Sequence, residues 1–129
     1  MGNTITNNIA DAGGGGILFG DDASPTIEGN TIMGNTAGEY GGGIGISSDA
    51  HSEVGNTILW NNNAPTGKEI YVGGDPVLST LTIFYSDVEG GQASVYLDPG
   101  CTLNWLDGMI DADPMFILSE KLDCRLLWE

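Results

Sequence analysis

With 129 residues the chain has room for one domain and a modest core, and its 21 glycines call for many tight turns and little helix. Three Lys and Arg against eighteen Asp and Glu leave a formal charge of −15. That balance excludes nucleic acid, whose phosphates need basic neutralisation, and disfavours acidic polysaccharides and anionic membrane surfaces as direct partners.

The chain opens on Gly2-Asn3-Thr4-Ile5, with neither the basic region nor the apolar run of a signal peptide. No later stretch approaches the ~20 apolar residues of a membrane span, so no membrane insertion is expected. The opening residues return as Gly29-Asn30-Thr31-Ile32 and as Gly55-Asn56-Thr57-Ile58, with a degenerate copy at Leu81-Thr82-Ile83. Ile5, Ile32, Ile58 and Ile83 stand 27, 26 and 25 residues apart. A second column begins at Gly14-Gly15-Gly16-Ile17 and returns at Gly41-Gly42-Gly43-Ile44, then at Ile70-Tyr71-Val72 and Val95-Tyr96-Leu97. From Ile17 to Val95 the steps are again 27, 26 and 25. A weaker third column runs through Ile27, Val54 and Leu81.

Each repeat thus holds two or three strands of about three to five residues, separated by Gly, Asn, Asp or Pro, too short to be stable as hairpins. They must pair with their equivalents one repeat later, in parallel and in register. The predicted fold is all-β, a right-handed parallel β-helix of about four coils, over residues 1–106, with 107–129 as a closing segment. Stacking at about 4.8 Å places each column of isoleucines in one internal file. Asn8, Asn35 and Asn61 fall in a further column, and stacked asparagines at a bend can hydrogen-bond along the axis.

The combination Gly-Asn-Thr-Ile-x-x-Asn followed by Gly-Gly-Gly-Ile resembles the parallel β-helix repeat proteins of bacterial cell surfaces. It is similar, too, to the repeats of chlamydial polymorphic outer-membrane proteins, although their aromatic FxxN half is missing. Asp111-Ala112-Asp113-Pro114-Met115-Phe116, with Arg125-Leu126-Leu127-Trp128-Glu129, is similar to the segment that closes such domains. The resemblance implies a fragment of a larger secreted or cell-surface protein. Solenoid ends without caps would expose strand edges and core, so homo-oligomers formed through those ends are expected.

Several residues invite a chemical role. Asp22, Asp49 and Asp75 each follow a column isoleucine by five positions, and Asp98 lies near the same turn. A file of carboxylates there would repel itself and could be relieved by Ca²⁺, an oxygen-binding cation; the alternative is that these aspartates simply make turns. Pectate lyases and polygalacturonases share this type of solenoid. A lyase needs a basic proton acceptor beside its calcium, and Lys68 is the one basic residue of the repeats. Hydrolysis needs paired carboxylates, and Asp21-Asp22 is such a doublet. Asp49, His51 and Ser52 crowd one turn, as an esterase-like set would, or as an ordinary polar loop does.

Trp60, Tyr71 and Tyr96 are candidates for stacking on sugar rings of a polysaccharide, against plain aromatic covering of a sheet. Cys101 and Cys124, 23 residues apart, are close enough to one coil for a disulfide or for two reduced thiols. The functional expectation is a non-catalytic surface or secreted module for structure, adhesion or glycan binding, with a carbohydrate-active or esterase-like hydrolase as the alternative.

Overall fold

The computed structural model describes residues 2–115. The chain winds through four coils. The first carries β1 (Thr4–Thr6), β2 (Ile9–Ala10), β3 (Ile17–Phe19) and β4 (Thr26–Glu28), and the second β5 (Thr31–Met33), β6 (Thr36–Ala37), β7 (Ile44–Ile46) and β8 (His51–Gly55). The third has β9 (Ile58–Trp60), β10 (Ile70–Val72) and β11 (Thr80–Phe84); the fourth has β12 (Asp87–Val88), β13 (Val95–Leu97) and β14 (Thr102–Trp105), with a short 3₁₀ turn at Gly91–Ser94. Three parallel sheets result, ordered β1-β5-β9-β12, β3-β7-β10-β13 and β4-β8-β11-β14, with a small β2-β6 ladder at one corner. Four strands per sheet make three complete turns from first strand to last. The expected β-helix is the observed fold.

The second sheet keeps the expected file: Ile17 pairs with Ile44, Ile44 with Ile70 and Ile70 with Val95. A parallel inner file, Phe19, Ile46, Val72 and Leu97, fills the same sheet two residues on. The tight approach to this sheet requires glycine. Gly41 has φ 65°, and a Cβ there would stand 2.6 Å from the Ile44 carbonyl oxygen.

The first sheet departs from the expected file. Ile5 and Ile32 pair as anticipated, but Ile32 lies opposite Leu59, and Leu59 opposite Val88. Ile58 instead aligns with Thr31 and is only half-buried, whereas Leu59 is fully buried. A one-residue slip in a strand sends every side chain to the other face. The neighbouring sheet decides which register holds. Thr26, Ile27 and Glu28 stack on Glu53, Val54 and Gly55, and the corner that follows is too short to lose a residue before Ile58. Ile83 is not in the first sheet at all. It stacks on Val54 and under Trp105 in the third, while Leu81 pairs with Ser52 and Leu103. The third coil has a longer connection, residues 73–79, where the second has 47–50, and this shifts the downstream strand.

The asparagine column is real, with one correction: its third member is Asn62, not Asn61. Asn8 donates its backbone N–H and its Nδ2 to Asn35 Oδ1 at 2.9 and 3.0 Å, and Asn35 repeats both bonds to Asn62 Oδ1. Asn35 and Asn62 also donate Nδ2 to the carbonyls of Ile5 and Ile32, 2.9 Å away. Asn61 sits outside in a left-handed conformation, φ 56°. A second polar column runs along the corner before the first sheet: Asn3 N–H donates to Asn30 Oδ1, Asn30 N–H to Thr57 Oγ, and Thr57 N–H to Ser86 Oγ. Among the described residues every buried side-chain N or O atom has a hydrogen-bond partner, as a dry interior demands.

Candidate binding face

The outer surface of the second sheet is built by strand alternation. With Ile70 and Val72 buried, Tyr71 must face outward, and Tyr96 lies directly beside it on β13. Their rings are parallel, at 2°, with centroids 5.5 Å apart. On the other side the column offers only Gly45. There Tyr40, held at the corner by bridges to Gly13 and Thr66, packs its ring on Tyr71 at 4.5 Å and 45°. A side chain at Gly13 would collide with the Tyr40 ring, so the glycine makes room for it.

The row is anchored at its centre. The Tyr71 hydroxyl donates to Asp98 Oδ2 at 3.1 Å, and the same oxygen accepts the Gly74 N–H at 3.1 Å. Burial, then the hydrogen bond and charge of Asp98, push the Tyr71 phenol up to about 12. Beside the row lies an open cleft of about 160 Å³, lined by Tyr40, Tyr71, Ser47, Ser48, Gly73, Gly74 and Asp75. A larger groove of about 530 Å³ lies near Ile58, Tyr85, Asp87 and Ile110, walled by Pro114 and Met115 where the described residues end.

The other candidates are dispersed. Trp60 faces outward from β9, on the first sheet, away from the tyrosine row. Asp22, Asp49, Asp75 and Asp98 do not form the expected file. Asp21 N–H donates to Ser48 O, which stacks the first two turns, but Asp49 N–H donates to Val77 O and Asp98 N–H to Val72 O. The longer third connection displaces Asp75 to an exposed position. Asp21, Asp22 and Asp49 adopt φ of 55°, 68° and 56°, a left-handed turn geometry that aspartate tolerates. Among the described residues no group of three or more His, Cys, Asp or Glu could hold a metal ion.

His51 and Ser52 are separated by strand alternation. His51 is exposed, with Nε2 3.5 Å from Asp49 Oδ1, whereas Ser52 is buried and donates Oγ to Thr80 O. Adjacent residues of a strand point to opposite faces, so this serine cannot present its hydroxyl to this imidazole. Cys101 is buried in the fourth coil between β13 and β14, where its Sγ accepts the N–H of Ser79 in the third coil at 3.4 Å; Cys124 lies outside the described residues.

Two features carry no signature in the repeat. Tyr40 lies outside both isoleucine columns, and only its equivalence to Gly13 and Thr66 at the corner brings it to the row. Glu69, directly before Ile70, is fully buried. Its position one residue before a column isoleucine, where earlier coils have Gly16 and Gly43, was the available clue.

No curated protein and no solved structure matches the chain. Residues 1–108 match the family described as the right-handed beta helix region, and with four parallel coils over the same span the chain belongs to that family.

Proposed function

We propose that the chain is a non-catalytic β-helix module of a secreted or cell-surface protein, which gives structure and contacts glycans through the face formed by Tyr40, Tyr71 and Tyr96. The observation that carries this reading is the parallel Tyr71–Tyr96 pair beside an open cleft edged by Ser47, Ser48 and Asp75. Aromatic rings bind the apolar faces of sugars, while hydroxyls donate and accept, and carboxylates accept, around the rim. Tyr71 is covered on both faces by its neighbours, which leaves the outer face of Tyr96, 41% exposed, as the free surface.

At about 160 Å³ the cleft is smaller than the ~300–1,000 Å³ usual for a small-molecule site, and it is open. Such a cleft suits one unit of a longer chain lying along the solenoid. The charge of −15 selects neutral polysaccharide over acidic. Affinity electrophoresis in gels containing soluble neutral polysaccharides tests the reading. Retardation of the native chain, reduced about tenfold in affinity by Tyr96→Ala, is expected. Equal mobility of the two proteins in every gel, or release of new reducing ends from the polysaccharide, would overturn it.

Self-association belongs to the same reading. Among the described residues β1, β3 and β4 each pair on one side only, leaving a strand edge on three sheets. Sedimentation velocity should show a mass that rises with concentration.

A further inference from the structure

The asparagine ladder ends on a carboxylate. Glu69 Oε1 accepts the backbone N–H of Asn62 at 3.1 Å, and Oε2 accepts Asn62 Nδ2 at 2.6 Å. Asn62 thus donates to Glu69 the same two groups that Asn8 donates to Asn35 and Asn35 to Asn62, so Glu69 takes the place of a fourth asparagine. The fourth coil has no asparagine to supply, since its corner reads Glu89-Gly90-Gly91. Gly16 and Gly43 hold the equivalent positions in earlier coils, where a Cβ would press on the ladder: at Gly43 it would come 3.0 Å from Asn62 Nδ2. Only at the last layer is there space for a side chain to turn inward.

We propose that Glu69 is a pH-sensitive plug at the end of the ladder, seated when neutral and making the junction of the third and fourth coils the weak point of the solenoid when ionised. Glu69 is fully buried, and its N–H donates to Ser94 O in the fourth coil. The next corner along the axis, from Glu89 to Ser94, is also tied back to the third coil by the bond of Glu89 N–H to Leu59 O. The charged groups that face Glu69 among the described residues are Glu89 and Lys68. Glu89 opposes ionisation of Glu69 more than Lys68 favours it, and the Lys68 ammonium stands 3.5 Å from Glu89 Oε1. No unpaired cation is left to neutralise a buried Glu69 anion.

Burial pushes the Glu69 carboxyl up to about 7, overriding the two bonds from Asn62, which pull the other way. A carboxyl raised in the folded state binds its proton more tightly there than in the unfolded chain. Its stabilising contribution is therefore complete below its ordinary value of 4.5 and is lost as pH rises through about 7.

The test compares thermal and chemical unfolding of the native chain and Glu69→Gln between about pH 4.5 and pH 8. Glutamine keeps the shape and an accepting oxygen and cannot titrate, and repulsion among the other carboxylates is common to both proteins. The folding constant of the native chain should fall by roughly two orders of magnitude relative to the variant across this range. Parallel curves would overturn the proposal. Should the variant not fold, the carboxyl ¹³C resonance of Glu69 in the native chain decides instead: a midpoint near its ordinary value sinks the plug. Amide exchange locates the weak point. It should rise with pH, beyond the intrinsic rate, at Asn62 and Glu89 and not in the first two coils; a uniform rise would place the effect elsewhere.

Discussion

Two rows of side chains run along the solenoid axis, one inside and one out. The inner row, Asn8, Asn35 and Asn62, sits at the corner after the first sheet; the outer row, Tyr40, Tyr71 and Tyr96, covers the second sheet. The ladder and the Tyr71–Tyr96 pair arise because a parallel solenoid places equivalent residues about 4.8 Å apart, and Tyr40 joins the outer row from the neighbouring corner. They differ in how far the stack is obligatory. A buried amide must have its donors and acceptors filled, so the ladder accepts few replacements. At the surface water can satisfy a tyrosine hydroxyl, so the outer row is free to serve a ligand. Buried stacking therefore reports on the fold, and exposed stacking on what the fold can touch.

The sharpest break should come at the centre of the ladder. Asn35→Ala removes an amide that bonds Asn8, Asn62 and the Ile5 carbonyl, and leaves several buried groups without partners. A loss of about 3–5 kcal/mol in chemical unfolding is expected. Leu59→Ala should cost about 2–5 kcal/mol, and Ile58→Ala clearly less, because Leu59 alone lies in the core file. Equal losses would show the register to be wrong.

The outer row should respond more weakly in stability and more strongly in binding. Tyr71→Ala loses two ring contacts and the bond to Asp98, for about 1–3 kcal/mol, and should weaken polysaccharide retardation because Tyr96 loses the ring it stacks on. Tyr96→Ala loses one ring contact and should cost no more than about 1 kcal/mol while still weakening retardation. The smallest effect is spectroscopic. Asp98→Asn should move the Tyr71 phenol down from about 12 in an ultraviolet titration, without reaching its ordinary 10.0, because burial outranks Asp98 among the causes.

The sequence-to-structure relation was uneven in an instructive way. The second sheet was fully legible, since Ile17, Ile44, Ile70 and Val95 pair in turn at the steps of 27, 26 and 25 residues that the repeat displays. The first sheet misled at Gly55-Asn56-Thr57-Ile58, where a repeated motif suggested one register and the stacking of the preceding strand imposed the other. Asn56 stands where Gly29 does, in a left-handed conformation of φ 48°. The same slip turned Asn62 into Asn61 in the expected ladder. The aspartate file failed at one insertion, residues 73–79, which counting from Ile70 could not detect. Of the aromatic candidates, Tyr71 and Tyr96 were visible as a shared column, while Trp60 belongs to a different sheet and Tyr40 had no periodic mark.

The amino-acid sequence alone determined that this chain is a parallel β-helix. Period, glycine corners and aliphatic columns are local properties, repeated often enough that a mistake in one coil does not remove the fold. Only the tertiary structure decided which residue of each repeat faces inward, because a strand's two faces differ by one position and neighbouring sheets must settle that choice together. It also decided that Glu69, in the place of two glycines, turns inward to end a ladder whose next asparagine the sequence does not provide. A partner found across a corner, rather than one period away, has no signature in the spacing.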